Sequence, residues 1–408
     1  MHLGLATQRS SSGRAPGLGV ALGGMFLIAS TYGMARFGVG LYAPRLVLER
    51  PALAPVVGQA AAAQFLSYAL AAAVAGRLTH QRLRTALVLA GATATVGCIG
   101  VAVASTPAGF VAAVFVGGMG AGFASPAVVC LIDAVVPDGA AATSQSTANS
   151  GTAVGVVVAG VLAFATTSTS PVWLLMAMVC NASAGAVLLL THRRAGSVTH
   201  PGARHASWKA PTGLDWGRLV APGTAALAVG AGSSLIWTFG PLLATQEGPV
   251  EPGQVGWLWI ALGLGGLLGP VTGAVVDRWG LRRGWRLFVG VLTVANFALL
   301  AAVVLPATWL AFAGMAVFGT GYMCLSGVLI LWARSVWPSA AGAGTSALFI
   351  ALAVGQAIGS AGFGLAQRHL APTLVILAAA ALCATGGALT RRNRPLESGL
   401  RDPADRRN

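Results

Sequence analysis

Apolar runs separated by short charged turns follow one another along almost the whole chain, and no soluble fold accommodates that pattern. A helix crosses a bilayer in about 20 apolar residues. On that measure the sequence divides into twelve spans, near residues 19–44, 56–76, 85–105, 108–132, 143–166, 171–191, 218–245, 254–276, 285–305, 307–333, 340–366 and 370–390. Only 9% of the 408 residues are charged and 56% are hydrophobic, against about 25% charged in a soluble globular domain. A surface so poor in charge needs lipid as its solvent. The lipid bilayer is therefore the first partner the sequence implies. The 56 glycines suit helices that approach one another closely inside it.

A net charge of +15 would suggest nucleic acid in a soluble chain. Here the placement of the charge argues against it. Alternate loops form two sets. One set, with both tails, holds 21 of the 25 basic residues; the other holds only Arg45, Arg50 and Arg368. Arg36 lies inside a span. Basic loops stay on the cytoplasmic side, so both termini are expected there, in a plasma-membrane protein with no nucleic-acid partner. The expected organisation is a tail over 1–17, six spans within 18–192, a polar linker over 193–217, six more spans within 218–391 and a tail over 392–408. The first apolar run competes with a signal peptide, but it is long and lacks a clear cleavage site. Cys98, Cys130, Cys180, Cys324 and Cys383 all fall in apolar runs with no metal-ligand spacing. They read as packing residues, and no metal or cofactor is expected.

Between the eighth and ninth spans lies Gly273-Ala274-Val275-Val276-Asp277-Arg278-Trp279-Gly280-Leu281-Arg282-Arg283. Gly265, Gly269 and Gly273 precede it at four-residue spacing, which puts three bare patches on one helix face. A second, weaker version occurs at Gly76-Arg77-Leu78-Thr79-His80-Gln81-Arg82-Leu83-Arg84. Gly120-Ala121-Gly122-Phe123 answers Gly319-Thr320-Gly321-Tyr322, and Ala153-Val154-Gly155 answers Ala353-Val354-Gly355. Offsets of 197, 199 and 200 residues indicate two related halves.

The charged turn resembles the inter-helix signature of the major facilitator superfamily, Gly-x-Leu-x-Asp-Arg-x-Gly-Arg-Arg. The first-half version departs from it, with His80 in place of the acid and Leu83 in place of the second glycine. The resemblance implies an all-α polytopic membrane protein of twelve helices in two pseudo-symmetric six-helix bundles. It also implies a gating role for Gly273, Asp277, Arg278 and Gly280, with Asp133 and Arg334 at neighbouring helix ends. The family's Gly-rich motif of the fifth span has Pro after its middle glycine; Val156 stands there instead, which weakens an exporter reading. Gly151-x-x-x-Gly155, continuing to Gly160, and its counterpart Gly355-x-x-x-Gly359 are read as helix-packing positions, and the two could form the contact between halves. Val114 occupies the place of an Arg that many relatives carry before Gly118-Met119-Gly120, so no proton-coupling role transfers from it.

Arg36 is the one charge well inside a span. A central charge costs about 3 kcal/mol on insertion scales, so it needs a cavity, a partner or a ligand. The plainer alternative is an arginine that snorkels to the interface or binds backbone carbonyls. No Asp, Glu or His lies at mid-span, so coupling by a buried carboxylate has no support. Coupling through Glu49, through the solute's own proton, or none at all stays open. The family's cavity helices make Tyr32, Gln64, Trp237, Tyr322 and Gln356 further candidates for contact with solute. Each is alternatively an interhelical bond or a packing aromatic.

No Gly-rich phosphate loop with Lys is present, so ATP is not the expected driver. The expectation is a monomeric secondary transporter of a small-molecule substrate and not an enzyme, since no His, Cys or carboxylate cluster offers catalytic chemistry. An anionic or amphipathic organic solute is favoured. A multidrug-type exporter of hydrophobic compounds and a non-transporting membrane receptor are the alternatives.

Overall fold

The computed structural model describes residues 17–195 and 215–391, apart from Pro306. The linker and both tails expected from the sequence fall largely outside the described residues. Within them the chain is helical, with no strand. Among the described residues nine helical segments are long and apolar enough to cross a membrane, or ten if one bent pair counts as a single span.

The first span is a single 32-residue passage, Leu18–Glu49, five residues longer than expected at its far end. It begins as α1 (Leu18–Ile28), widens into a π-helical segment over Ala29–Arg36, and resumes as α2 (Gly38–Glu49) through Pro44. The hydroxyls of Ser30 and Thr31 both donate to the Leu27 carbonyl, at 3.1 and 2.6 Å. Such back-bonding perturbs the regular ladder, and π segments recur at functional sites. Arg36 closes this one.

Helix α3 (Val57–Val103) replaces the expected loop near residues 77–84 with a kink at Arg82, φ −144° and ψ 60°. With the 3-10 turn Pro51–Val56 that leads into it, it makes two spans, Pro51–Gly76 and Arg82–Val103. Helix α4 (Pro107–Val135) starts with Pro at its first position and with Thr106 Oγ1 accepting from Gly109 N at 3.2 Å. Helices α5 (Asp138–Leu162), α6 (Thr169–Ala195) and α7 (Gly217–Gln246) follow. The eighth span is not one helix. Helices α8 (Val255–Gly266) and α9 (Val271–Trp279) meet at a 49° bend. Pro270 lacks an N–H and disfavours helix in the residue before it, and tight i→i+3 turns such as Leu268 N to Gly265 O bridge the gap. Helices α10 (Leu281–Val304), α11 (Thr308–Val336), α12 (Ala341–Ala366) and α13 (Pro372–Ala388) complete the chain.

The glycine repeats pack helices as expected, but only part of the run touches the other half. A Cβ on Gly155 would stand 2.7 Å from the Ala29 carbonyl carbon, and one on Gly355 would stand 2.8 Å from the Leu227 carbonyl carbon. The same close crossing thus occurs once in each half, 200 residues apart, and neither glycine joins the halves. Gly160, which ends the same glycine run, does join them, against Gly256 O at 2.6 Å. Of the three glycines before the charged turn, only Gly265 is pressed against a neighbouring backbone, that of Ala316. Gly269 is snug rather than pressed, with Gly266 O 3.3 Å and Met323 Cβ 3.4 Å from the place of a Cβ, and Gly273 faces open space. Gly280 has φ 81° and forms the turn between α9 and α10.

The halves meet through α3 with α12, α5 with α8 and α2 with α7. The glycine and arginine contacts of these seams cluster toward the arginine-poor end. There Gly58 packs on Ser360 O, Gly40 on Trp237 O, and Arg368 Nη2 donates to Pro55 O at 2.7 Å. The same end is tied within the first half by two neighbours. Glu49 accepts from Thr169 N at 2.8 Å and from Thr169 Oγ1, capping α6. Arg50 donates to the carbonyls of Val101, Ala102 and Ala104, the orphan acceptors at the end of α3. The Glu49 carboxylate is therefore engaged in a helix cap.

Candidate functional site

Arg36 is 1% exposed. Its Nη2 donates to Gln356 Oε1 at 3.3 Å, while Nε and Nη1 have no hydrogen-bond partner. It does not snorkel, and its recorded bond is to a side chain, not to a backbone carbonyl. Four aromatic rings surround the guanidinium. Its carbon lies 3.9 Å from the Tyr68 ring centroid, 4.4 Å from Tyr32, 5.0 Å from Phe65 and 5.2 Å from Phe37. A cation over an aromatic face gains about 0.5–2 kcal/mol. The rings soften the burial of the charge without neutralising it, because none carries a compensating negative charge.

The environment follows from helix geometry. Tyr32 and Arg36 lie four residues apart on the π segment, and Phe65 and Tyr68 lie three apart on α3, so each pair shares a face. Gln356 on α12 reaches Arg36 with its carbonyl. Its Nε2 donates to the Tyr322 hydroxyl on α11 at 3.0 Å. Arginine offers only donors, so the amide oxygen must face it, and the amide nitrogen then turns to Tyr322. Trp237 on α7 stacks on Phe37 at 3.7 Å and 12°, and meets Tyr322 edge-on at 5.1 Å. Phe318 and Trp259 close the other sides of the indole.

Arg36, Tyr32, Trp237, Tyr322 and Gln356 are thus brought together from both halves. Gln64 is buried one turn before Tyr68 on α3, with its stem packed against Gly118 at the seam with α4. Phe37, Phe65 and Tyr68 belong to the site and were not among the sequence candidates for solute contact. Tyr68 carried a usable signal, a hydroxyl in an apolar span one turn beyond Gln64. The two phenylalanines carried none.

The gating candidates lie apart from this cluster, toward the arginine-rich end. Asp277, Arg278 and Gly280 are exposed, and α9 packs chiefly on α10 and α11. Asp133 and Arg334 are exposed at the ends of α4 and α11. On α5, Thr143, Ser146 and Asn149 are also exposed. Their three-residue spacing places them along one side of the helix.

A sequence profile of the Major Facilitator Superfamily matches residues 21–360. The chain belongs to that superfamily. The match spans both halves and includes the charged turn after α9 and every residue around Arg36. No curated protein matches the sequence. Among solved structures the fold is similar to a POT family transporter in complex with 5-aminolevulinic acid, with TM-score 0.74 and 12% identity, covering 92% of this chain and 96% of that one. It is also similar to a D-xylose–proton symporter, with TM-score 0.68 and 15% identity, covering 93% and 97%. A third is the nucleoside transporter NupG, with TM-score 0.68 and 12% identity, covering 92% and 99%. At these identities the likeness is one of fold. Members of the superfamily are membrane transporters, and the many apolar helices agree with a multi-pass membrane protein.

Proposed function

We propose that the chain is a secondary transporter that carries a small organic solute, anionic or amphipathic, across the cytoplasmic membrane by alternating access. The observation that carries this reading is Arg36: a buried cation between the halves with two unpaired nitrogens and, among the described residues, no neutralising acid beside it. A carboxylate or related oxyanion on the solute would supply what the site lacks, since the guanidinium fork matches that geometry. The structural neighbours' solutes are too diverse to choose one, so the argument rests on the site.

In this reading the chain makes twelve passes in two bundles of six and acts as a monomer. Helix α3 supplies two passes, α8 with α9 one, and the polar α5 and the 17-residue α13 one each. Both termini and the linker over 193–217 lie in the cytoplasm by the charge rule. The conformation is then inward-facing, closed at the arginine-poor end. The exposed Thr143, Ser146 and Asn149 support that state, because polar side chains at membrane depth face water or protein.

The test is a thermal-shift screen of the purified protein against small organic acids, their amides and quaternary ammonium compounds, followed by flux of the hits in proteoliposomes. Organic acids should stabilise wild type, Arg36→Lys should bind them measurably worse, and Arg36→Ala should lose them. Preference for permanent cations, retained in Arg36→Ala, would replace this reading with a multidrug-type exporter.

A further inference from the structure

Arg36 has a single hydrogen-bond acceptor, and that acceptor is neutral. Gln356 is fully buried, belongs to the other half of the chain, and bonds Arg36 at the long distance of 3.3 Å. Its amide is held in orientation by Tyr322. The same Tyr322 packs on Trp237, and Trp237 stacks on Phe37, the residue after Arg36. The contacts therefore close a ring that crosses between the halves twice, once through a hydrogen bond and once through stacked aromatics.

We propose that Gln356 is a placeholder: its carbonyl oxygen occupies the position of the solute's anionic oxygen on Arg36 and latches the two halves together until solute displaces it. This rests on the reading of Arg36 as an anion anchor. A carboxylate makes shorter and stronger bonds to a guanidinium than an amide carbonyl does, and it engages the nitrogens that Gln356 leaves unpaired. Displacement frees the α12 side chain and removes the hydrogen-bonded crossing between the halves. Binding thereby releases the contact that holds the empty carrier, which couples occupancy to conformational change through differential contacts in the two states. Gln356 also sets affinity, since every solute must compete with it.

The experiment uses sodium benzoate as the probe and benzamide as its uncharged counterpart, titrated by thermal shift on the full-length protein in detergent. Wild type should respond to benzoate and not to benzamide, and Arg36→Ala should lose the response. Gln356→Glu installs a permanent counter-ion beside Arg36 and should raise the benzoate midpoint at least tenfold. Gln356→Leu removes the competitor and should lower the midpoint severalfold, with Gln356→Met as the alternative should the leucine variant not fold. A purely structural glutamine would lower the unfolding temperature of the variants and leave the midpoints unchanged. Unchanged midpoints in the Gln356 variants, with the response lost in Arg36→Ala, overturn the latch and leave the anion anchor standing. Equal responses to benzoate and benzamide in wild type, or a benzoate response that survives Arg36→Ala, overturn both.

Discussion

Gly40→Ala is the smallest change that should bias this carrier between its conformations. Gly40 lies on α2, where the first half closes on α7. A methyl group there collides with the carbonyl oxygen of Trp237 and stands 3.0 Å from its carbon and 3.5 Å from Thr238 Cα. The nearest obstacles are backbone atoms, so no change of rotamer relieves the overlap and the helices must part. Overpacking of this kind costs about 1–3 kcal/mol. Only the conformation closed at the arginine-poor end bears the cost, so its population relative to the alternative should fall by roughly 5–150-fold. The assay is labelling of Ser360→Cys, in a background without the five native cysteines, by a membrane-impermeant maleimide added from the arginine-poor side. Ser360 is fully buried there and bonded to Thr238 Oγ1 at 2.9 Å. Its labelling rate should rise by the same factor in Gly40→Ala. Gly362→Ala is the control, since a Cβ at Gly362 meets nothing within 4 Å. Unchanged labelling in Gly40→Ala at an unchanged unfolding temperature, or an equal rise in the control, would refute the reasoning.

Two further outcomes are expected. Gly155→Leu presses a side chain into the Ala29 backbone and should destabilise the protein by about 1–3 kcal/mol or more, while Gly273→Leu, in open space, should stay within about 0.5 kcal/mol; thermal unfolding in detergent compares them. Asp277 is exposed in this conformation, so Asp277→Asn should leave stability within about 0.5 kcal/mol yet raise labelling of Asn149→Cys from the arginine-rich side, if Asp277 closes on the start of α5 in the opposite conformation. Normal labelling together with normal flux would show that Asp277 is no gate.

The sequence made visible whatever is expensive in hydrocarbon. Arg36, Tyr32, Trp237, Tyr322 and Gln356 stood out because a charge or a polar group in an apolar run needs a reason, and the structure draws all five to one place. Gln64 stood out on the same ground, but cost did not reveal that its stem packs against Gly118 of α4. Phe37 and Phe65 were invisible, since a phenylalanine in an apolar run costs nothing. The repeat offset of about 200 residues located equivalent glycines, yet a glycine shows only that a neighbour could approach. Gly155 has such a neighbour and Gly273 has none. The bend after α8 follows from Pro270 and the π segment accompanies the Ser30 and Thr31 back-bonds, local causes that a reading by apolar runs passes over.

Helix α5 has a consequence for how the protein is made. Its first half carries Thr143, Ser144, Gln145, Ser146, Thr147, Asn149 and Ser150, and it is not among the segments apolar enough to cross a membrane on composition. Its partners are the first span, synthesised more than a hundred residues earlier, and α8, which emerges about a hundred residues later. A ribosome-bound chain that ends after α6 therefore holds a reluctant helix with one of its two supports missing. Insertion of α5 becomes a late and cooperative event, completed when the second half arrives to hold it.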